Sequence, residues 1–315
     1  MYRTLCRALT AGAALAAPLL ALTACTPAGD DGTVQVLASF YPLQVVAQEV
    51  GGDRVTVSSL TPPGAEPHDV ELSPAQVAAT SAADLVVYQS GFQPAVDDAV
   101  TQAGPPHVVD AAEVTGLTSG APGGHDDEDE EHADEPHADG HDHDGLDPHV
   151  WLDPSRMPAV VDAVADALSE VDPDGAAGYA ANAAALTQRF TELDEAYAAG
   201  LASCERRVVV VSHEAFGHLA ERYDLEQVGI SGVDPETEPS PARLREVGDT
   251  VRERGVTTIF FETLVSPKVA QTLAADLGVQ TAVLDPLEGL TDETQDYFSV
   301  AEANLEALRV ALSCS

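Results

Sequence analysis

The stretch VVVVSHEAFGH at 208–218 looks at first like the zinc-protease motif H-E-x-x-H, in which two histidines bind the ion and the glutamate is the general base. In the zinc-protease motif H-E-x-x-H the two histidines lie four residues apart and share one helix face. Here His213 and His218 are five residues apart, which turns the second ring by about 140° around a helix. The two rings therefore do not bind one ion together, and the partners of either must come from elsewhere in the chain.

Three histidines stand at places where a binding site would form in an α/β fold. His68 and His213 each follow a predicted strand, and His149 lies in the motif DPHVWLDP. In open α/β sheets, ligand sites form outside the carboxyl ends of the strands. These three imidazoles can converge there, and imidazole nitrogen is a preferred ligand of Zn²⁺. His107, in a turn, and His218, on the helix after His213, are interpreted as ordinary polar residues.

A carboxylate is the expected fourth ligand. Asp285, in the motif VLDP, ends a predicted strand and is the first candidate, although it could instead shape an Asp-Pro turn. Glu262 ends another predicted strand and is the alternative, either as a ligand or as a hydrogen-bond partner of a ligand. Glu214, beside His213, is a second possible outer partner.

The elements that would position these residues alternate along both halves of the chain. The predicted strands are 34–39, 55–60, 84–88, 207–212, 257–262 and 280–284, and helical patterns between them include 42–50, 74–81, 241–254 and 267–277. Such alternation predicts two α/β lobes, each with a parallel sheet flanked by helices, and the metal site in the cleft between them.

A long helical pattern separates the two lobes. Apolar residues recur three or four positions apart at Leu186, Phe190, Leu193, Tyr197 and Leu201, which indicates one amphipathic face. We predict an N-terminal lobe at 34–171, a linking helix at 172–203 and a C-terminal lobe at 204–315. The alternative is two shorter helices broken near Gly178.

The N-terminus is predicted to direct export. Arg3 and Arg7 precede an apolar run that ends in LTAC, and this tetrapeptide resembles the bacterial lipobox. We therefore predict a signal peptide at 1–24, lipid on Cys25 and a tether at 25–33, which would place the protein on the outer face of the cytoplasmic membrane. The alternative is an ordinary signal peptide with a chance cysteine.

Two cysteines are left to pair, because Cys25 would carry the lipid. Cys6 would leave with the signal peptide, and Cys204 and Cys314 form an even pair in a disulfide-permissive compartment. We predict a disulfide between them, with two buried thiols as the alternative.

The charge of the chain argues against two classes of partner. The formal net charge is −39, which argues against nucleic acid and against adhesion of the folded domain to an anionic membrane surface. An acidic segment within 119–146 has too few apolar groups to fold and is predicted to be a disordered loop. Its histidines are candidates for weak auxiliary metal binding: His125, His132, His137, His141 and His143.

Several motifs, taken in order, resemble one family. PGAEPHD, DPHVWLDP, SHEAFG, DPETEPS and IFFET look like the zinc and manganese solute-binding proteins of bacterial ABC importers, the ZnuA-like group. The resemblance covers nearly the whole mature chain. It implies two α/β lobes joined by one long helix, with the metal in the cleft. It also implies an ABC permease and its ATPase as partners, and we expect a monomer.

The resemblance also implies the ligands and the cargo. The family's ligands match His68, His149, His213 and Asp285, with a water in place of the aspartate in some zinc members. Manganese-preferring relatives have Glu at the third position, where this chain has His213, and imidazole suits Zn²⁺. We expect Zn²⁺ as the transported ligand, with manganese or another divalent ion as the alternative.

Two other functions are compatible with these residues. A zinc hydrolase would use three histidines and an open position, with Glu214 as general base, but a bound Asp285 would fill that position. A surface adhesin or metal buffer would bind the ion without transport. The expected function is zinc capture without catalysis.

Overall fold

The computed structural model describes residues 32–117, 146–292 and 294–315, and Thr33–Ser315 forms one compact unit. The predicted signal peptide, the lipidation site Cys25 and nearly all of the tether lie outside the described residues. So do the five histidines of the acidic segment. In the part of the chain that the structure describes, no helix is long and apolar enough to cross a membrane.

The first half of the unit is built on a four-stranded parallel sheet of order β2-β1-β3-β4. Its strands are β1 (Val34–Ala38), β2 (Val55–Ser59), β3 (Leu85–Tyr88) and β4 (Val108–Asp110). Its helices are α1 (Tyr41–Gly51), α2 (Pro74–Ala82), α3 (Pro94–Ala103), α4 (Ala111–Val114) and α5 (Met157–Val171).

The second half repeats this plan with a parallel sheet of order β6-β5-β7-β8. Its strands are β5 (Val208–Val211), β6 (Glu226–Gly229), β7 (Thr258–Phe261) and β8 (Gln280–Val283). Its helices are α7 (Gly217–Arg222), α8 (Pro241–Arg254), α9 (Lys268–Leu277) and α10 (Tyr297–Leu312). The predicted fold class is confirmed.

One long helix, α6 (Ala176–Leu201), connects the halves. It has 26 residues, so it is about 39 Å long at 1.5 Å per residue. The predicted apolar face from Leu186 to Leu201 is buried, and Gly178 lies inside the helix without breaking it. The helix packs against α1 and α5 of the first half and against α10 of the second, so it contacts both halves.

Alternating side chains of the strands face two different cores. Val209 and Val211 of β5 join the same core as Phe190 of α6, while Val208 and Val210 face a second cluster under α8 and α9. Both faces of this sheet are therefore covered at β5, as all-parallel sheets require, and β5 reads as a continuous apolar run.

The predicted disulfide between Cys204 and Cys314 is present and ties the end of α6 to the C-terminus across a sequence separation of 110. It lies before the amino end of β5, whereas His213 follows the carboxyl end of that strand.

Candidate metal centre

Four side chains from four separate loops meet between the two sheets. His68 lies in the loop after β2, His149 before the short 3-10 turn Val150–Leu152, His213 directly after β5, and Glu288 in the loop after β8. Their ligand atoms all lie within 4.8 Å of one another. Three of the side chains are almost fully buried, and His68 is 11% exposed.

Four of the six distances between these ligand atoms are close to the edges of a small tetrahedron. The Oε1 atom of Glu288 lies 3.4 Å from His68 Nε2, 3.3 Å from His149 Nε2 and 3.6 Å from His213 Nε2. The Nε2 atoms of His68 and His149 are 3.3 Å apart. Ligands at about 2.0–2.1 Å from a tetrahedral Zn²⁺ are separated by about 3.3–3.4 Å. The four side chains could therefore hold one such ion.

Two of the imidazoles are oriented by carboxylates outside the group. His149 Nδ1–H donates to Asp147 Oδ1 at 2.7 Å, and His213 Nδ1–H donates to Glu262 Oε1 at 2.9 Å. The same Glu262 oxygen accepts a hydrogen bond from Ser212 at 2.7 Å. With Nδ1 engaged, Nε2 is left as the electron-pair donor toward the centre, the arrangement found around metal-binding histidines.

Two buried atoms of the group have no hydrogen-bond partner among the described residues. These are His213 Nε2 and Glu288 Oε2. A buried polar atom without a partner costs free energy, so such atoms usually mark a bound ion, a water or a functional site. A cation at the centre of the group would satisfy His213 Nε2.

The electrostatics of the group are dominated by the buried carboxylate. Burial by itself would raise the pKa of Glu288, but the imidazoles of His149, His213 and His68 beside it hold this pKa well below its usual range. Burial would likewise lower the pKa of His213, but Glu262 and Glu288 raise the pKa to about 10. The pKa of His149 is also raised, because Asp147 and Glu288 outweigh its burial. The carboxylates around the group therefore favour the protonated forms of His149 and His213 when no cation is present.

The structure differs from the sequence prediction at the fourth ligand. Asp285 is not part of the group: its Oδ1 accepts from the Leu287 amide at 2.8 Å and its Oδ2 from Thr263 at 2.7 Å. The side chain shapes the turn after β8, which is the alternative that the Asp-Pro motif left open. Glu288, three residues later, is the carboxylate that reaches the histidines. No spacing rule in the sequence indicated it, because its position depends on the path of that turn.

The other predicted residues are placed as follows. Glu262 contacts His213 and lies outside the ligand group, whereas Glu214 accepts from Arg243 at 3.2 Å. The ring of His218 donates from Nε2 to the backbone oxygen of Asp147 at 2.9 Å.

The protein has two α/β halves, each with a parallel sheet, and one long helix connects them. It buries a group of three histidines and one glutamate. These features define a metal-binding protein of the two-lobed solute-binding class. The chain belongs to the ZnuA family, described as zinc-uptake complex component A, periplasmic, which it matches over residues 36–311.

Two named relatives are similar to this chain in sequence. The chain is 38% identical over 288 residues to the zinc-binding lipoprotein AdcA of Streptococcus pneumoniae R6, covering 89% of this chain and 56% of that protein. It thus spans about half the length of the AdcA relatives. It is 34% identical over 312 residues to the high-affinity zinc uptake system protein ZnuA of Bacillus subtilis, covering 95% and 96% of the two chains.

Solved structures show the same fold. The Zn(II)-bound ZnuA-like domain of Streptococcus pneumoniae AdcA superposes with a TM-score of 0.72 at 35% identity, covering 89% of this chain and 99% of that one. The laminin-binding protein Lmb of Streptococcus agalactiae, described as a bifunctional protein with adhesin and metal-transporting activity, gives 0.75 at 32% identity with the same coverage.

Proposed function

We propose that this protein captures Zn²⁺ outside the cytoplasmic membrane and delivers it to the permease and ATPase of an ABC importer. The observation that carries the proposal is the buried group of His68, His149, His213 and Glu288, whose spacing fits one tetrahedral ion. Three imidazoles and one carboxylate suit Zn²⁺ better than Mn²⁺, which favours oxygen ligands.

The same geometry argues against catalysis. Catalytic zinc keeps one position open for water, whereas structural and storage sites are closed by four protein ligands. Here Glu288 supplies the fourth ligand atom from a fully buried position. Glu214, the general base that a hydrolase would need, is engaged by Arg243 instead. We therefore expect no turnover of ester or amide substrates.

The location rests on the N-terminal sequence and on the names of relatives. Lipid on Cys25 would hold a monomer at the membrane beside the permease, and the similar AdcA is named a lipoprotein. Replacement of Cys25 by Ser should release the protein into the medium or the soluble fraction. A Cys25→Ser protein that stays in the membrane would contradict the anchor.

The five histidines of the acidic segment are proposed as weak auxiliary sites for the ion: His125, His132, His137, His141 and His143. Deletion of 118–145 should lower the number of loosely bound zinc ions while the tight site keeps its affinity. Equilibrium dialysis at several zinc concentrations distinguishes the two classes of site.

Competitive titration with a chromophoric zinc chelator tests the binding proposal. The mature protein should bind one Zn²⁺ tightly, and His68→Ala, His149→Ala and His213→Ala should each bind it far more weakly. A matched pair resolves the fourth ligand: Glu288→Gln should weaken binding strongly, and Asp285→Asn, three residues away, should weaken it less. Tighter binding of Mn²⁺ than Zn²⁺ by the mature protein would contradict the assignment of the cargo.

Growth in chelated medium tests delivery separately from binding. A strain without the gene should fail to grow when zinc is removed and should recover with the intact gene, but not with a His213→Ala version.

A second candidate function follows from the similarity to Lmb, which is named a laminin-binding adhesin. Binding of the purified protein to immobilised laminin, with and without zinc, tests it. Adhesion without any growth effect in chelated medium would favour the adhesin over the importer.

A further inference from the structure

The single tryptophan of the chain bonds two ligand-bearing segments to each other. Trp151 lies two residues after His149 and is 1% exposed. Its indole Nε1–H donates to the backbone oxygen of Pro286 at 2.7 Å, and Pro286 lies two residues before Glu288. The backbone oxygen of Trp151 accepts in turn from the hydroxyl of Tyr297, at the start of α10. One residue thus connects a ligand segment of the first half to a ligand segment of the second.

The indole is held firmly on the side of the first half. Its ring lies 4.7 Å from Phe40 and 5.0 Å from Phe92, measured between centroids, and 5.1 Å from the ring of His149. Phe92 also packs edge-on against His68 at 4.8 Å. These contacts fix the direction in which the N–H group points.

The turn that receives this hydrogen bond is itself rigid. The side chain of Asn304, which is 3% exposed on α10, accepts from the Asp285 amide at 2.9 Å and donates to the Asp285 carbonyl at 2.7 Å. Leu287 has a φ of 60°, which non-glycine residues rarely adopt, and its amide is bonded to Asp285. Because the turn is constrained throughout, a displacement at Pro286 would carry Glu288 with it.

We propose that Trp151 is a positioning residue of the metal centre. Through Pro286 it sets the 3.3 Å separation between His149 Nε2 and Glu288 Oε1, one of the edges of the tetrahedron that join the two halves. Trp151 does not touch the ion. Its effect is to keep the ligand group compact, so that a small four-coordinate ion is preferred to one that takes more ligands. This inference rests on the proposed zinc-binding function.

Removal of the hydrogen bonds one at a time tests the role. Trp151→Phe keeps an aromatic ring between Phe40 and Phe92 but removes the donor to Pro286, and Tyr297→Phe removes only the hydroxyl that bonds Trp151. Tyr197→Phe is the matched control. The buried hydroxyl of Tyr197 also bonds to α10, the helix that begins at Tyr297, by donating to the Ala301 carbonyl at 2.7 Å, but it does not contact a ligand segment. The measurements are zinc affinity by chelator competition, the visible spectrum of the Co²⁺-loaded protein, and thermal stability without metal.

We expect Trp151→Phe to weaken zinc binding roughly tenfold, comparable to the loss of an outer partner of a metal ligand. We also expect weaker visible Co²⁺ bands, because a four-coordinate ion that gains a ligand absorbs less strongly, and a smaller preference for Zn²⁺ over Mn²⁺. Tyr297→Phe should show the same changes in smaller measure. Tyr197→Phe should lower only the thermal stability.

Unchanged zinc affinity and an unchanged Co²⁺ spectrum in a folded Trp151→Phe protein would overturn the positioning role, while zinc binding by the unaltered protein would still support the proposed function. If Trp151→Phe does not fold, Tyr297→Phe decides the matter by the same two measurements. Failure of the unaltered protein to bind zinc would instead overturn the proposed function itself.

Discussion

At the scale of single residues, the proposed metal centre involves more than its four candidate ligands. Asp147 and Glu262 do not belong to the ligand group, but each accepts the Nδ1–H of a ligand imidazole. Such carboxylates fix the tautomer and the direction of the ring, and they make the nitrogen that faces the ion more basic. They also help to raise the pKa of both buried rings, against the effect of burial.

We expect Asp147→Asn to lower zinc affinity by about 10–100-fold, because the amide keeps the size of the side chain but loses the charge that orients His149. Asp172→Asn is the control, since Asp172 bonds Tyr179 and Arg54, and Arg54 lies before the amino end of β2 whereas the ligand His68 follows its carboxyl end. Chelator competition measures both variants. Equal losses in the two proteins would show that the effect of Asp147 is general rather than local to the centre.

Zinc binding should release protons at pH 7. The pKa of His213 is raised to about 10, well above that pH, so its ring favours the protonated form in the metal-free protein, and the pKa of His149 is raised in the same direction. An ion must displace these protons, so affinity should rise with pH up to the raised pKa values and fall in acid. Calorimetric titrations in buffers of different ionisation enthalpy count the released protons. Identical heats in all buffers would contradict the protonated state.

At the scale of elements, the sequence predicted the sheets, the strand ends and the long helix better than the turns. His213 could be placed because it directly follows a run of four valines that can only be a buried strand. The edge strands β4 and β6 were missed, since three or four residues without a continuous apolar run carry little pattern. Glu288 was missed for another reason. Its position depends on the turn from Asp285 to Leu287, and the hydrogen bonds that shape that turn come from Thr263, Trp151 and Asn304, distant in sequence.

The start of helix α7 supports the centre through a glycine. A Cβ atom at Gly217 would lie 2.3 Å from Oδ2 of Asp147, so any larger residue displaces the carboxylate that orients His149. We expect Gly217→Ala to weaken zinc binding. Gly178→Ala is the matched control, because nothing lies within 4 Å of its added Cβ and alanine favours the helix by about 1 kcal/mol. Chelator competition and thermal melting of both proteins give the comparison, and unchanged affinity in Gly217→Ala would show that Asp147 can move without consequence.

At the scale of the whole molecule, the two halves share one apolar core. Val36 of the first sheet, Phe190 of the connecting helix and Val209 of the second sheet belong to the same buried cluster. A wide rotation of one half against the other would expose this cluster to water, at about 25 cal/mol for each Å² of apolar surface. Capture and release of the ion should therefore involve local movement of the ligand loops rather than a large opening of the two halves.

Loss of the disulfide should change the stability of this unit but not its affinity for metal. Replacement of Cys204 and Cys314 by serine opens a loop with a sequence separation of 110, which should lower the free energy of unfolding by about 4–5 kcal/mol in the chain-entropy treatment. Zinc affinity should stay nearly unchanged, because the bond precedes the amino end of β5 while the ligands follow the carboxyl ends of the strands. Urea titration of the metal-free protein measures the first quantity and chelator competition the second. A large loss of affinity in the serine protein would mean that the C-terminal link reaches the ligand loops, and that the shared core alone does not hold the centre in place.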